Sequence, residues 1–202
     1  MNLFYTPHIN DGQGYLEKEE SHHATRVLRM STGDGLLVTD GKGTIYKAAL
    51  MGVSKSETRF TIEDVYTQED SPSSHLHIAI APTKSNDRFE FFLEKATEIG
   101  ISKITPILCE RSERKVIKKE RMEKIVLSAA KQAKNIHIPI FNEMVSFSKF
   151  LKENRSKHNL IAHCEDEETK TDLFAYGISP QSEITILIGP EGDFTTHEIQ
   201  LA

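Results

Sequence analysis

Gly189-Pro190-Glu191-Gly192 is the segment of this sequence best suited to chemistry. It follows Ile184-Thr185-Ile186-Leu187-Ile188, an unbroken run of the kind that parallel strands show when both faces are covered. It precedes Thr195-Thr196-His197-Glu198, where Thr195 and Glu198 have capping-box spacing and mark a helix start. Open α/β sheets bind ligands beyond the carboxyl ends of their strands, which is where such a loop must lie. Gly189 and Gly192 permit close backbone approach. Pro190 stiffens the loop, and Glu191 offers an acceptor to a hydroxyl or amine. The loop lacks Lys, and a carboxylate repels phosphate, so it suits an adenosyl or ribose group better than a polyphosphate. It matches neither Gly-x-Gly-x-x-Gly nor the Gly-rich loop ending in Lys-Ser/Thr. The same residues are also compatible with a plain strand-to-helix turn.

Charge marks a second segment. Arg111, Arg114, Lys115, Lys118, Lys119, Arg121 and Lys124 crowd one window, against Glu113, Glu120 and Glu123. The window is the best electrostatic candidate for phosphate contact, its alternative being a solvated helix face of mixed charge. The net charge of −5 does not advertise nucleic-acid binding. His22-His23 does not make a metal site, because sequence neighbours rarely aim at one ion and no third ligand is suggested. Cys109 and Cys164 are too few for a zinc site or a disulfide framework and are expected to be reduced structural thiols.

The elements that must position these residues fall in two blocks. Leu36–Asp40, Thr44–Val53 and Arg59–Tyr66 read as strands, with a hairpin signal at Asp40-Gly41-Lys42-Gly43 and one helix over His22–Met30. Short strands with Gly turns suggest a small barrel over residues 1–70. The polar stretch Gln68–Ser74 reads as a linker. From residue 75 to 202, strands and helices alternate: strands at His75–Ala81, Ile104–Cys109, Asn159–Cys164 and Ile184–Gly189, helices at Asn86–Ile99, Lys118–Lys134 and Phe147–Glu153. Phe89, Phe92, Leu93, Ala96 and Ile99 share a helical face that Gly100 ends, and Met122, Ile125, Val126, Ala129, Ala130 and Ala133 are expected to be buried. Alternation of this kind predicts a parallel sheet between helices. Glu165-Asp166-Glu167-Glu168 reads as a solvated acidic loop. A chain of 202 residues, 38% hydrophobic and 27% charged, has length for a real core, and no apolar run approaches a membrane span. The first residues lack a signal-peptide pattern, so the expected location is the cytoplasm.

Ile188-Gly189-Pro190-Glu191-Gly192-Asp193-Phe194 with Glu198 resembles the signature loop of the ribosomal RNA small-subunit methyltransferase E family, in the SPOUT superfamily. Other matches follow in order: His22 to Met30, Gly33-Asp34, Asp40-Gly41-Lys42-Gly43, Lys84, Arg88, Lys95 to Ile101, Ile104-Thr105-Pro106, Glu110-Arg111-Ser112, Ala129, Gln132 and Pro139. Each piece is weak, but the ordered set, from about His22 to the end, is specific. The resemblance implies an N-terminal PUA-like barrel that helps hold RNA and a C-terminal α/β domain that binds S-adenosylmethionine in a trefoil knot. It implies a homodimer with no metal and no membrane association. The implied reaction is methylation of N3 of one uridine in 16S ribosomal RNA of the small subunit. Two residues depart from the pattern: Asp193 stands where many members have Gly, and Asn135 where many have Arg. After Glu198 the pattern expects a further strand, a Leu-Gly-x-Arg-Ile-Leu-Arg-x-Glu-Thr-Ala loop and a last helix. The knot segment is therefore expected to be truncated here and cofactor binding to be weak.

Under that resemblance Arg111, at a strand end, is the candidate catalytic cation for charge developing on the uracil oxygens. Gly189, Pro190, Glu191 and Gly192 are the cofactor candidates, joined by His163 and Glu165. Arg26 and Arg29 from the barrel, with Lys84, Arg88 and Lys115, are the RNA candidates. Arg26 and Arg29 are equally readable as braces of the small helix, Arg111 as a salt-bridged loop residue and His163 as structural. The alternative function is a non-catalytic protein that binds ribosomal RNA and dimerises.

Overall fold

The computed structural model describes residues 2–54, 57–67, 75–154, 156–165, 177, 179 and 182–202. The linker at 68–74 and most of the acidic run at 165–168 lie outside the described residues. Two compact units are present, one of Met1–Ser71 with Ala130–Ile138, the other of Pro72–Ala129 with Pro139–Ala202.

The first unit contains β1 (Leu3–Tyr5), β2 (Ile9–Asn10), β3 (Gln13–Leu16), α1 (Lys18–His22), β4 (Gly35–Thr39), β5 (Thr44–Gly52) and β6 (Thr58–Thr67). They form one sheet in the order β1-β4-β5-β6-β3-β2, antiparallel except where β1 meets β4. Period-two alternation drives it: Leu36 and Val38, Ala48 and Leu50, and Phe60 all point into one core with Phe4, Leu16 and Ala24. The sheet curls far enough that Thr6, just past β1, donates its hydroxyl to the Tyr15 carbonyl of β3 at 2.7 Å.

The expected helix over His22–Met30 is displaced. α1 starts at Lys18 and passes into a single π-helical turn, His23–Val27. Arg29 then takes a left-handed φ of 55°, and the Met30 N–H closes onto the Ala24 carbonyl at 3.0 Å. A helix that begins without a Ser, Thr, Asp or Asn cap gives little local signal of its start, and here Glu17 occupies the cap position without a side-chain bond to the helix.

The second unit alternates β7 (Leu76–Ile80), α2 (Asn86–Ile99), β8 (Lys103–Leu108), α3 (Lys119–Ala133, whose last turn from Ala130 belongs to the first unit), β9 (Ile140–Phe141), β10 (Val145–Ser146), α4 (Phe147–Glu153), β11 (His158–Ala162), β12 (Ile184–Ile188) and α5 (Thr196–Leu201). All pairings are parallel, in the order β10-β8-β7-β12-β11, with β9 also on β8. From β7 the chain moves outward to β8, then returns to the other side through β11 and β12. The switch in direction falls between β7 and β12.

One face of this sheet packs Ala79, Ile107 and Leu187 against Phe147, Phe150, Phe194 and Ile199 from the α4 and α5 region. In α2, Phe89, Leu93 and Ala96 are buried as expected, and Gly100 ends the helix at φ 89°. Ile99 does not follow them: it is 72% exposed. It lies in the final turn, where the buried face is carried instead by Thr97. Ala133 is likewise exposed rather than buried, at the end of α3 just before Lys134 turns left-handed at φ 54°.

Candidate active site at the carboxyl edge of the parallel sheet

Four loops leave the carboxyl ends of β7, β8, β12 and β11, and side-chain-to-backbone bonds fasten them to one another. The Lys84 N–H, after β7, donates to Glu191 Oε1 at 2.8 Å. This bond spans the switch between β7 and β12, where open sheets place their ligands. N–H groups of Glu191 itself and of Lys84 hold the Glu191 carboxyl below the usual range, with Arg88 and the Lys84 charge adding to the effect. Gly189 lies close to Phe194: a Cβ there would stand 3.0 Å from its ring and 3.2 Å from its nitrogen, a tight contact.

Arg111 sits in a tight turn after β8. The Ser112 N–H donates to the Cys109 carbonyl at 3.1 Å, and the Cys109 N–H donates to Ser112 Oγ at 3.0 Å. This turn puts Glu110 and Arg111 at its corners. Arg111 Nη1 reaches the carbonyls of Gly192 at 2.9 Å and Phe194 at 3.2 Å. Arg111 is therefore exposed but braced, and its partners are backbone carbonyls, not a carboxylate.

The loop after β11 joins through Asp193. Its Oδ2 accepts the Cys164 N–H at 2.7 Å, and its Oδ1 accepts the Phe194 N–H at 2.7 Å. Beside these bonds the Nδ1 of His163 is buried, without a hydrogen-bond partner among the described residues. Glu165 Oε1 accepts the Thr196 hydroxyl at 3.4 Å. Gly189, Pro190, Glu191, Gly192, His163, Glu165 and Arg111 are thus brought to one edge.

The RNA candidates are distributed. Lys84 is exposed and paired through Nζ with Glu113 Oε2 at 2.8 Å. Arg88, in the first turn of α2, is exposed, and so is Lys115. Arg26 and Arg29 are exposed in the first unit. Arg29 also ends its helix, so a bracing role and a surface charge coexist there.

The sequence marks Asp193 only as a departure from Gly, whereas its carboxylate joins two loops. It also gave no structural part to Glu198 beyond the helix cap. Cys109 is a buried free thiol, pushed up to about 12 by burial and then by the Glu198 charge. Cys164 is exposed and forms no disulfide. Among the described residues no group of three or more His, Cys, Asp or Glu is placed to hold a metal ion, and no helix is long and apolar enough to cross a membrane.

The opposite, amino edge of the sheet carries a groove of about 830 Å³ lined by His75, His77, Thr105, Asn142 and Phe150 among others. Burial, then the Lys103 charge, lowers the His77 imidazole to about 4, and its Nε2 lies 2.7 Å from Thr105 Oγ1. None of the candidate residues lines it.

Comparison with known proteins identifies the family. The profile of the RNA methyltransferase domain matches residues 69–202, and that of the RNA methyltransferase PUA domain matches residues 16–63. A Ribosomal RNA small subunit methyltransferase E of Rickettsia conorii is 28% identical over 180 residues, covering 89% of this chain and 72% of its own length. A solved structure described as a probable rRNA-methyltransferase of Porphyromonas gingivalis is 32% identical. It covers 100% of this chain and 84% of its own, with a TM-score of 0.88. A methyltransferase of Legionella pneumophila, solved with the cofactor SAM bound, is 28% identical and covers 98% of this chain and 84% of its own, with a TM-score of 0.81. The resemblance read from the ordered motifs is borne out: this chain belongs to the RNA methyltransferase domain family.

Proposed function

We propose that this protein transfers a methyl group from S-adenosylmethionine to N3 of one uridine in small-subunit (16S) ribosomal RNA. In this reading residues 1–70 are a PUA-like domain that holds RNA, and residues 75–202 perform the transfer. The trefoil-knot crossover, a homodimer and a cytoplasmic location belong to the same reading. The relatives named as small-subunit methyltransferases support the substrate, and the SAM-bound relative supports the cofactor.

The observation that carries the reading is the set of acceptors in the loops after β12 and β11, at the carboxyl edge of the sheet. S-adenosylmethionine has a sulfonium, an ammonium, ribose hydroxyls and an adenine amine, all of which seek acceptors or negative charge. The edge offers the ionised Glu191 and the side chain of Glu165. This acceptor set fits the cofactor's ammonium, hydroxyl and amine groups. When bound, the cofactor supplies an electrophilic methyl carbon in line with a leaving thioether. The protein's own part is positioning, which contributes much of the rate in such a displacement.

Gly189 and Gly192 let the backbone come close, and the Lys84–Glu191 bond fixes the loop that must hold the nucleoside. A guanidinium has five N–H donors, so Arg111 retains donors beyond those given to the Gly192 and Phe194 carbonyls. They stabilise negative charge developing on uracil O2 or O4 as N3 loses its proton. Lys84, Arg88 and Lys115 supply phosphate contacts near this edge, and Arg26 and Arg29 supply them on the first unit.

The experiment is transfer of labelled methyl by the protein to small ribosomal subunits lacking the modification, followed by digestion to nucleosides. N3-methyluridine is the expected product. Label on another base or another atom overturns the assignment of N3, and cofactor-dependent RNA binding without transfer overturns the catalytic reading.

A further inference from the structure

Glu198 stands at the third position of α5, and only half of its carboxylate serves that helix. Oε2 accepts the Thr195 N–H at 2.9 Å and the Thr195 hydroxyl at 3.2 Å, and Thr195 Oγ1 accepts the Glu198 N–H at 3.2 Å. This is the capping box that the spacing predicts. The other oxygen leaves the helix. Oε1 accepts the N–H of Glu110, 88 residues away, at 2.9 Å.

The side chain is only 6% exposed. A buried carboxylate must be met by donors, because an unmet one costs much more than a surface charge. Among the described ion pairs none involves Glu198. Its charge is therefore met by N–H and O–H dipoles, one of which belongs to the turn that carries Arg111. Arg111 in turn holds the Gly192 and Phe194 carbonyls, and Phe194 is bonded directly to Thr195. The contacts close a ring: Glu198 to Glu110, Arg111 to Gly192 and Phe194, Thr195 back to Glu198.

We infer that Glu198 is a positioning residue, whose buried carboxylate fixes the backbone at Glu110 and so sets the guanidinium of Arg111 against the Gly192–Phe194 segment. The catalytic consequence rests on the reading of Arg111 given above; the geometric one does not. In either orientation a glutamine loses one of these bonds and weakens the other, because its NH2 end faces an N–H and its neutral oxygen is a poorer acceptor than a carboxylate.

The test compares Glu198→Gln, Thr195→Ala, Arg111→Lys and the double variant Glu198→Gln with Arg111→Lys. Thr195→Ala removes the two hydroxyl bonds of the cap and leaves both backbone N–H bonds to the carboxylate, the one from position 195 and the one from Glu110. Hydrogen exchange at the Glu110 amide and the Arg111 guanidinium, followed by NMR, reads the positioning directly. Glu198→Gln is expected to speed both by about 10-fold and Thr195→Ala by less than about 3-fold. In single-turnover methyl transfer, Glu198→Gln and Arg111→Lys each lower the rate, and the double variant falls no more than about 3-fold below the slower single one, as coupled residues require. Unchanged exchange in Glu198→Gln, equal effects of Thr195→Ala, or multiplicative rate losses overturn the inference. A wild-type protein that transfers no methyl overturns the methyl-transfer reading instead, and the exchange data still decide the role of Glu198.

Discussion

Asp193 accepts the Cys164 N–H at 2.7 Å, and that bond joins the loop after β11 to the loop after β12. Asp193 does so from a left-handed backbone, φ 61°, a conformation in which Gly is the ordinary residue. Asp193→Gly keeps the conformation and loses the tether. The expected outcome is unchanged folding, with exchange at the Cys164 amide faster by about 5- to 10-fold, the equivalent of one hydrogen bond. Equal protection in the variant contradicts the tether.

The same bond has a pH dependence. Burial alone raises the Asp193 carboxyl, but the N–H groups of Cys164 and Phe194 outweigh it, with His163 and Arg111 adding, and hold it below 3.8. A carboxyl depressed on folding contributes stability that is complete above its unfolded value and lost as pH falls through the lower folded value. The tether is therefore intact at neutral pH and fails only in acid. The Cys164 amide shift, followed against pH, should have its midpoint below 3.8; a midpoint above that contradicts the account.

Arg111→Ala removes both a brace and a cation. Single-turnover methyl transfer is expected to fall more than about 10-fold. Arg111→Lys keeps the charge but loses the planar fork that reaches two carbonyls, so it recovers only part of the rate. An unchanged rate in Arg111→Ala removes Arg111 from the chemistry.

Arg29 separates a structural from an RNA role. Its φ of 55° costs an L-residue about 1–2 kcal/mol, partly offset in any glycine variant by the greater entropy of the unfolded chain. Arg29→Gly should leave stability unchanged or raise it by up to about 1 kcal/mol. RNA affinity should fall, and the salt dependence of binding should lose up to about one phosphate contact. Full affinity and an unchanged salt slope assign Arg29 to helix termination alone.

Gly43 has φ 94°, and a Cβ on it would overlap the His137 ring. The Gly43 N–H donates to the Ile136 carbonyl at 2.9 Å, and the Ile138 N–H to the Gly41 carbonyl at 2.8 Å. Gly43→Ala is expected to destabilise the first unit by about 1–3 kcal/mol. Chemical denaturation checks it; a loss within about 0.5 kcal/mol contradicts the close packing.

The sequence made some of this legible and hid the rest for definite reasons. α2 is found over Asn86–Ile99 as the spacing of Phe89, Leu93 and Ala96 predicts. The Thr195–Glu198 capping box is also as predicted. Strands β1, β2 and β3 escape because they are three, two and four residues long, too short to show alternation. The turn between β2 and β3 does carry a signal: Asp11-Gly12, at φ 48° and 76°, is a hairpin dipeptide. In the site, the Gly189–Gly192 loop stands out because it ends an unbroken buried strand. The bonds Lys84–Glu191 and Glu110–Glu198 join residues 107 and 88 apart. They depend on the strand order β8-β7-β12, which no local pattern encodes.

The central claim is that the carboxyl-edge loops form the cofactor site. Titrating S-adenosylmethionine into the isotope-labelled protein, with backbone amide shifts read at each step, tests it most directly and detects weak binding as well as tight. The account predicts the largest shifts at Lys84, Cys164, Gly189, Glu191 and Gly192. Shifts centred on the opposite groove around His77 and Thr105, with those five amides unmoved, would contradict it.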